Sequence, residues 1–146
     1  MEQAGLWDNA DIISQYTRAD AIEDGVLVDL MQHPTPEEPD VDDLAELVRT
    51  AGFRWPIAMT AEAFGRYVEL SPAAKRAGCD IKGRLWDVLW MMKQAIRRSR
   101  EGGTELRFTF LCVTERVRPT LCTLKLVTGP DDNGEPCMTI MLPEED

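Results

Sequence analysis

The stretch that decides the fold covers residues 80–103 and reads DIKGRLWDVLWMMKQAIRRSREGG. Its apolar side chains recur at steps of three and four residues, which places them on one face of an α-helix. This face consists of Ile81, Leu85, Val88, Leu89, Met92 and Ile96. Asp80 can cap the first turn, and Gly102 or Gly103 can adopt the left-handed conformation that ends a helix. We therefore predict a long central helix around which a small domain is organised.

Two tryptophans, Trp86 and Trp90, lie four residues apart on the stripe beside this apolar face. Helical spacing next to a leucine and methionine stripe favours packing in the core. The alternative is a hot spot for binding another protein, because tryptophan is enriched at such sites.

Positive charge is concentrated near the end of the predicted helix, at Lys93, Arg97, Arg98 and Arg100. The helix macrodipole favours cations in the last turn, so a structural role explains the cluster. A patch for anions or nucleic acid is the alternative, although no Gly-rich or aromatic partner accompanies these charges.

Three segments after this helix alternate between apolar and polar side chains, at residues 106–112, 122–126 and 138–142. Turn-forming residues separate them, and alternation with a period of two predicts strands buried on one face. We predict an α+β fold in which a three-stranded antiparallel C-terminal meander packs against the long central helix. Shorter N-terminal helices and one or two short strands complete this fold class.

The N-terminal half predicts smaller elements around an acidic, Pro-rich surface loop at about residues 32–43. Too little chain precedes that loop to form a second domain, so we predict a single domain over residues 1–146. The expected elements are short helices at 17–25, 41–51 and 60–70, one turn after Pro72, and a short strand at 26–30.

The net charge of −10 is unevenly distributed along the chain. Residues 1–50 hold 13 acidic side chains against Arg18 and Arg49, whereas residues 51–146 hold 13 acidic against 14 basic ones. Such an acidic N-terminal third repels phosphates, which argues against direct binding of nucleic acid. It is either a solvated face or a surface that offers carboxylates to a basic partner. The candidate acidic interaction surface is Glu37, Glu38, Asp40, Asp42 and Asp43.

The motifs of common enzymes and metal sites are missing from this sequence. It contains no phosphate-binding Gly-x-x-x-x-Gly-Lys loop, no Gly-x-Gly-x-x-Gly and no Gly-x-Ser-x-Gly. The single histidine, His33, lies in the acidic loop, and the four cysteines form no Cys-x-x-Cys pair. We predict no catalytic residue, no cofactor and no metal site. Without a signal peptide or an apolar run of about 18–20 residues, we expect a cytoplasmic protein with no membrane association.

Polar side chains within otherwise apolar segments form the main candidate site. Arg84 and Asp87 are three residues apart on the central helix and can pair along it. One interpretation is a set of buried salt bridges that hold the N-terminal segment to the core, and the other is a shallow polar cleft. The set comprises Tyr16, Arg18, Asp29, Arg54, Arg84 and Asp87.

Four stretches of the chain carry a family resemblance. They are residues 13–29, which include Tyr16-Thr17-Arg18, residues 51–56, which read AGFRWP, residues 83–91, which read GRLWDVLWM, and residues 124–143. Together they resemble a family of small uncharacterised bacterial proteins that are often encoded on plasmids, phages and conjugative elements. The resemblance implies an accessory gene of a mobile element and no known activity.

Together these observations favour a non-enzymatic accessory or interaction protein whose partner is a host or element-encoded protein. A sharper hypothesis is a counter-defence decoy whose carboxylates mimic DNA phosphates, although residues 75–118 are net basic. The alternative is a small enzyme with a nucleotide site near Tyr16 and Arg18, because Tyr16-Thr17-Arg18 followed by Ala21-Ile22 and Gly25 resembles the opening of ADP-ribosyltransferase-like folds. A third hypothesis is a DNA-binding accessory factor that uses the basic helix end. The oligomeric state is left open.

Overall fold

A computed structural model describes residues 16–31, 44–100 and 102–146. The acidic surface predicted at Glu37, Glu38, Asp40, Asp42 and Asp43 lies outside the described residues, and so does His33. In chain order the elements are α1 Arg18–Glu23, β1 Leu27–Asp29, α2 Leu44–Thr50, β2 Ile57–Thr60, α3 Ala61–Tyr67, α4 Pro72–Arg76, α5 Ile81–Arg98, β3 Glu105–Cys112, β4 Thr120–Pro130 and β5 Pro136–Met141.

The predicted central helix is α5, and it begins where the sequence indicates. The Asp80 carboxylate accepts a hydrogen bond from the backbone N–H of Gly83 at 2.7 Å, which caps the first turn. The predicted glycine stop is wrong, because the helix ends at Arg98 and Ser99 is its C-cap, before either glycine. Ser99 instead turns the chain into an extended conformation while its N–H donates to carbonyls of the last turn. A left-handed residue is therefore unnecessary at this end.

The tryptophans of α5 have different environments. Trp86 is partly buried and packs against the core, whereas 43% of Trp90 is exposed, so core packing describes only the first of them. Their rings stack with centroids 6.0 Å apart and planes 19° from parallel. The Lys93 ammonium also lies over the Trp90 ring, 6.0 Å from its centroid.

One five-stranded sheet forms the other layer, with the strand order β1-β2-β5-β4-β3. β3, β4 and β5 pair as the predicted antiparallel meander. The sheet extends further than the meander, because β2 pairs with β5 in parallel and β1 pairs antiparallel with β2. The mixed α+β class is thus confirmed, and the sheet has two strands beyond those of the meander.

The core lies between α5 and the inner face of the sheet. Leu85 and Leu89 of α5 are fully buried, as are Met59, Leu124 and Ile140 of three different strands. Alternation along β3 brings Phe108, Phe110 and Cys112 to this face and leaves the intervening side chains exposed. The longest helix and the meander therefore bury each other, as the two sequence periods require.

Candidate functional site

An open cleft of about 420 Å³ lies beside the C-terminal end of α5. Its walls are mainly apolar and come from the α2–β2 loop, the end of α5, the chain leading into β3, and strands β4 and β5. The lining residues are Gly52, Phe53, Arg54, Trp55, Ile96, Ser99, Gly102, Gly103, Thr104, Glu105, Leu106, Leu126, Thr128 and Met138.

The loop that forms one wall of this cleft is fixed at both ends. Gly52 ends α2 with φ +98°, a conformation that favours glycine, and the Lys93 ammonium donates to the carbonyl of Ala51 at 2.8 Å. The carbonyl of Pro56 accepts the backbone N–H of Met138 in β5 at 2.9 Å. The intervening residues 53–55 are therefore held over the edge of the core.

Large apolar side chains remain exposed on the rim. Trp55 is 47% exposed and Ile96 is 38% exposed. Arg54 lies between the cleft and solvent, and within the described part of the chain it makes no ion pair. The rim thus combines accessible apolar surface with an exposed cation, Arg54, that is in no salt bridge to another described residue.

A second hollow, of about 370 Å³, lies on the other side of the same helix end. It is bounded by α5 residues and by the first half of β3, and it shares Ser99 and Leu106 with the larger cleft. Arg98 and Arg107 belong to its lining. The two hollows therefore flank one helix end that is rich in arginine, in a chain whose net charge is −10.

The structure separates the predicted polar set into three places. Arg84 and Asp87 lie beside the far end of β3, and Arg18 and Asp29 lie beside the β4–β5 turn. Arg54 is the member of the set that lines the large cleft. These five residues therefore do not form one site.

Arg84 is only 5% exposed, and its guanidinium binds carbonyls. It donates to the carbonyl oxygens of Val113 at 2.7 Å, Val68 at 3.2 Å and Arg66 at 3.3 Å. No salt bridge within 4.0 Å joins it to Asp87 in the described residues, so the predicted pairing along the helix is not formed. Asp87 has a solvent-exposed surface, yet protein atoms on its buried side raise its pKa, an effect that Arg84 opposes.

Arg18 fastens α1 to the sheet. Its two terminal nitrogens donate to the Thr139 hydroxyl at 2.6 Å and to the Met138 carbonyl at 2.7 Å. The Asp132 carboxylate accepts the backbone N–H groups of Arg18 and Ala19 at 2.9 and 3.0 Å. The N-terminal helix is thus held to the core by hydrogen bonds, and the Arg18 guanidinium is already occupied.

Tyr16 and Asp29 complete the region in which the sequence allowed a nucleotide site. The Tyr16 hydroxyl donates to Asp24 at 2.7 Å, and this hydrogen bond raises the pKa of Tyr16 to about 12. Asp29 accepts the backbone N–H of Met31 at 2.9 Å. The hollow here, about 170 Å³, is lined by three carboxylates, those of Asp29, Asp131 and Asp132. Such a lining disfavours the negative pyrophosphate of a dinucleotide.

The sequence did not predict this cleft. Trp55 belongs to a stretch that carries the family resemblance, Ile96 was predicted on the apolar face of the central helix but is 38% exposed, and Leu106 and Met138 were predicted only as strand residues. The signal that was available is the Phe53-Arg54-Trp55-Pro56 run, which places two aromatic residues and an arginine in a segment too short for a buried strand. Neither wall of the cleft is complete without residues distant in the chain.

Within residues 16–31, 44–100 and 102–146, no helix combines the length and apolar character needed to cross a bilayer. Within the same ranges, no group of three or more His, Cys, Asp or Glu side chains is placed to hold a metal ion.

The fold and the cleft define a mixed α+β protein with one five-stranded sheet and an open apolar cavity at the end of its longest helix. The chain belongs to the Family of unknown function (DUF6573), which matches residues 3–146. Neither a curated protein nor a solved structure matches it. The resemblance to an uncharacterised family is confirmed to that extent, and the bacterial and mobile-element context stays a prediction.

Proposed function

We propose that this protein is a binding protein that recognises a partner protein at the cleft beside the end of α5. A bulky apolar side chain of the partner enters the cleft, and an acidic group of the partner meets Arg54. The observation that carries the proposal is the open 420 Å³ cleft with Trp55 and Ile96 exposed on its rim.

The apolar surface of Trp55 and Ile96 favours binding, because its exposure to water is unfavourable. A cavity of this volume falls in the range of natural binding pockets, roughly 300–1,000 Å³. Burying the exposed parts of Trp55 and Ile96 contributes favourably to binding, and tryptophan is enriched among interface hot spots. An open rim of this kind suits a protruding side chain of another protein.

The charge of the partner follows from the arginines. Arg54, Arg97, Arg98, Arg100 and Arg107 are exposed at or near this end of the molecule. Glu105, which also lines the cleft, lies 3.8 Å from the Lys125 ammonium and is therefore partly neutralised. An acidic partner is attracted by this field, and its association rate falls as salt is added.

In this proposal the partner is a host or element-encoded protein, and the protein serves as an accessory factor of a bacterial mobile element. The acidic surface at Glu37, Glu38, Asp40, Asp42 and Asp43 remains a separate prediction for a basic partner. The arginine-rich helix end accounts for specificity without invoking that surface.

The first test uses the fluorescent apolar anion 1-anilinonaphthalene-8-sulfonate as the probe. Trp55→Ala and Arg54→Gln should each weaken its binding about fivefold or more, because they remove apolar surface and the cation respectively. The matched control is Arg116→Gln, which removes an exposed arginine from the β3–β4 turn. Equal binding by all four proteins would overturn the proposal, once circular dichroism has shown that each is folded.

The second test asks whether a protein occupies the cleft. A photo-crosslinking phenylalanine analogue replaces Trp55 in one variant and Val117, which is 48% exposed at the opposite end of the β3–β4 hairpin, in another. A single acidic protein cross-linked from position 55, absent from position 117 and lost with Arg54→Gln, is the expected result. Cross-linking of nucleic acid, or of the same proteins from both positions, would contradict it.

A further inference from the structure

The outer edge of β3 is not paired with any other strand in the described part of the chain. β3 is an edge strand of eight residues, and no other described strand pairs with its outer side. The N–H of Thr128 donates to the carbonyl of Thr104 at 2.8 Å, so Thr104 and every second residue after it bond to β4. The N–H and C=O groups of residues 105, 107, 109 and 111 consequently point away from the sheet.

This edge is accessible to another chain. The side chains of Arg107, Thr109 and Leu111 are exposed, and Leu111 is 63% exposed. Natural sheets commonly protect long edges with bulges, prolines or several inward-pointing charges, because an open edge templates pairing with another strand. From Arg107 to Leu111 there is one charged residue and no proline.

The second hollow runs along the same edge. Its floor is formed by Met91 and Ala95 of α5 together with Leu106 and Phe108 of β3. A strand added beside β3 would direct alternate side chains to this side of the sheet and the others to the side of Arg107. The hollow has about 370 Å³ of space for the first set.

We propose that an extended acidic segment of the partner protein adds to β3 as a sixth strand. This inference rests on the proposed function and specifies the conformation and chemistry of the partner. Its backbone bonds to the outward groups of residues 105–111, its apolar side chains fill the second hollow, and its carboxylates lie on the opposite face of the added strand, beside Arg107. Main-chain bonds then supply affinity, and the alternate side chains supply specificity.

The added strand and the large cleft are adjacent. Ser99 and Leu106 line both hollows, so a segment paired with β3 near residue 105 lies next to the partner side chain that enters the large cleft.

The test uses a fluorescein-labelled heptapeptide, Glu-Leu-Glu-Val-Glu-Leu-Glu with blocked ends, and the full chain. Thr109→Pro should weaken binding about tenfold or more, because it removes an outward N–H without removing a bond to β4. Thr109→Ala is the matched control and should change the affinity less than about twofold. Hydrogen exchange at Arg107, Thr109 and Leu111 should slow on binding, with the already bonded amides of Leu106 and Phe108 as internal reference.

Charge reversal provides a variant that preserves the backbone. Arg107→Glu should weaken the acidic peptide about tenfold and strengthen binding of the peptide in which lysine replaces glutamate. Affinity that is indifferent to Thr109→Pro and to Arg107→Glu would overturn the inference, and so would the absence of peptide binding. Sedimentation that shows a dimer abolished by Thr109→Pro would also overturn it, because a second copy would then occupy the edge.

The outcomes separate this inference from the proposed function. If cross-linking from position 55 succeeds while Thr109→Pro and Arg107→Glu leave capture unchanged, the strand inference fails and the cleft remains the binding site. If the anion probe and the cross-link are both insensitive to Arg54→Gln, the proposed function fails.

Discussion

Replacing Arg84 by methionine tests the interaction that joins three parts of the fold. Methionine retains much of the side-chain length and removes the guanidinium, which is 5% exposed and donates to three backbone carbonyls. Two of these carbonyls, of Arg66 and Val68, lie at the end of α3, and that of Val113 follows β3. Without the donor, α5 loses its polar connection to both segments.

The size of the effect follows from the burial of the carbonyls. Val68 and Val113 are 0% and 7% exposed, so their oxygens lose a charged donor in a place where water has poor access. Each such loss costs about 1.5–2 kcal/mol, whereas the hydrogen bond to Arg66 is only partly buried and water can replace it. Relief of the buried guanidinium offsets part of the cost. We expect a destabilisation of about 3 kcal/mol and a Tm lower by roughly 10 °C.

Urea unfolding followed by tryptophan fluorescence measures this change in the free energy of unfolding. The control is Lys82→Met, which removes an exposed cation two residues earlier on α5 and should change stability by less than about 0.5 kcal/mol. The destabilisation caused by Arg84→Lys should lie between those of Lys82→Met and Arg84→Met, because an ammonium cannot reach all three carbonyls. A value for Arg84→Met within about 1 kcal/mol of the unsubstituted protein would refute the reasoning, since the carbonyls would then be satisfied without Arg84.

Three further predictions concern backbone strain and titration. Gly52→Ala should lower the free energy of unfolding in urea by about 1–2 kcal/mol, because φ is +98° and the new Cβ would lie 2.9 Å from the Lys93 Nζ. The control Gly102→Ala should change the free energy of unfolding by less than about 0.5 kcal/mol. Burial raises the pKa of Cys112 from 9.0 to about 11. The folded thiol therefore keeps its proton where the unfolded one loses it, so the contribution of Cys112 to the free energy of unfolding should fall as pH rises from 9 to 11. In a Cys112→Ala variant, the free energy of unfolding should lack this fall between pH 9 and 11. The same pH profile in the variant and the unsubstituted protein would contradict the prediction. The pKa of Tyr16 is raised to about 12, so its tyrosinate absorbance should develop at a pH above its ordinary pKa of 10.0. Removing the acceptor carboxylate of Asp24 should lower the pH at the midpoint of this titration.

Local patterns in the sequence were enough for the largest elements. The 3.6-residue period and the Asp80 cap predicted α5, and alternation with a period of two predicted the meander of β3, β4 and β5. These signals act between residues that are close in the chain, so they can be read without knowing the fold.

The candidate site needed the tertiary structure. The parallel pairing of β2 with β5 joins segments about 80 residues apart, and no period within either segment specifies that register. The same pairing brings the Arg54–Trp55 loop beside Ile96 and Leu106, so the cleft exists only after the sheet and α5 have packed. The partners of Arg84 were equally unpredictable from the sequence. They are backbone carbonyls, and every residue has one. The sequence by itself determined which residues form the long helix and the meander, through period and capping. The tertiary structure decided which polar and aromatic side chains meet, because those contacts depend on distances between segments that sequence spacing does not define.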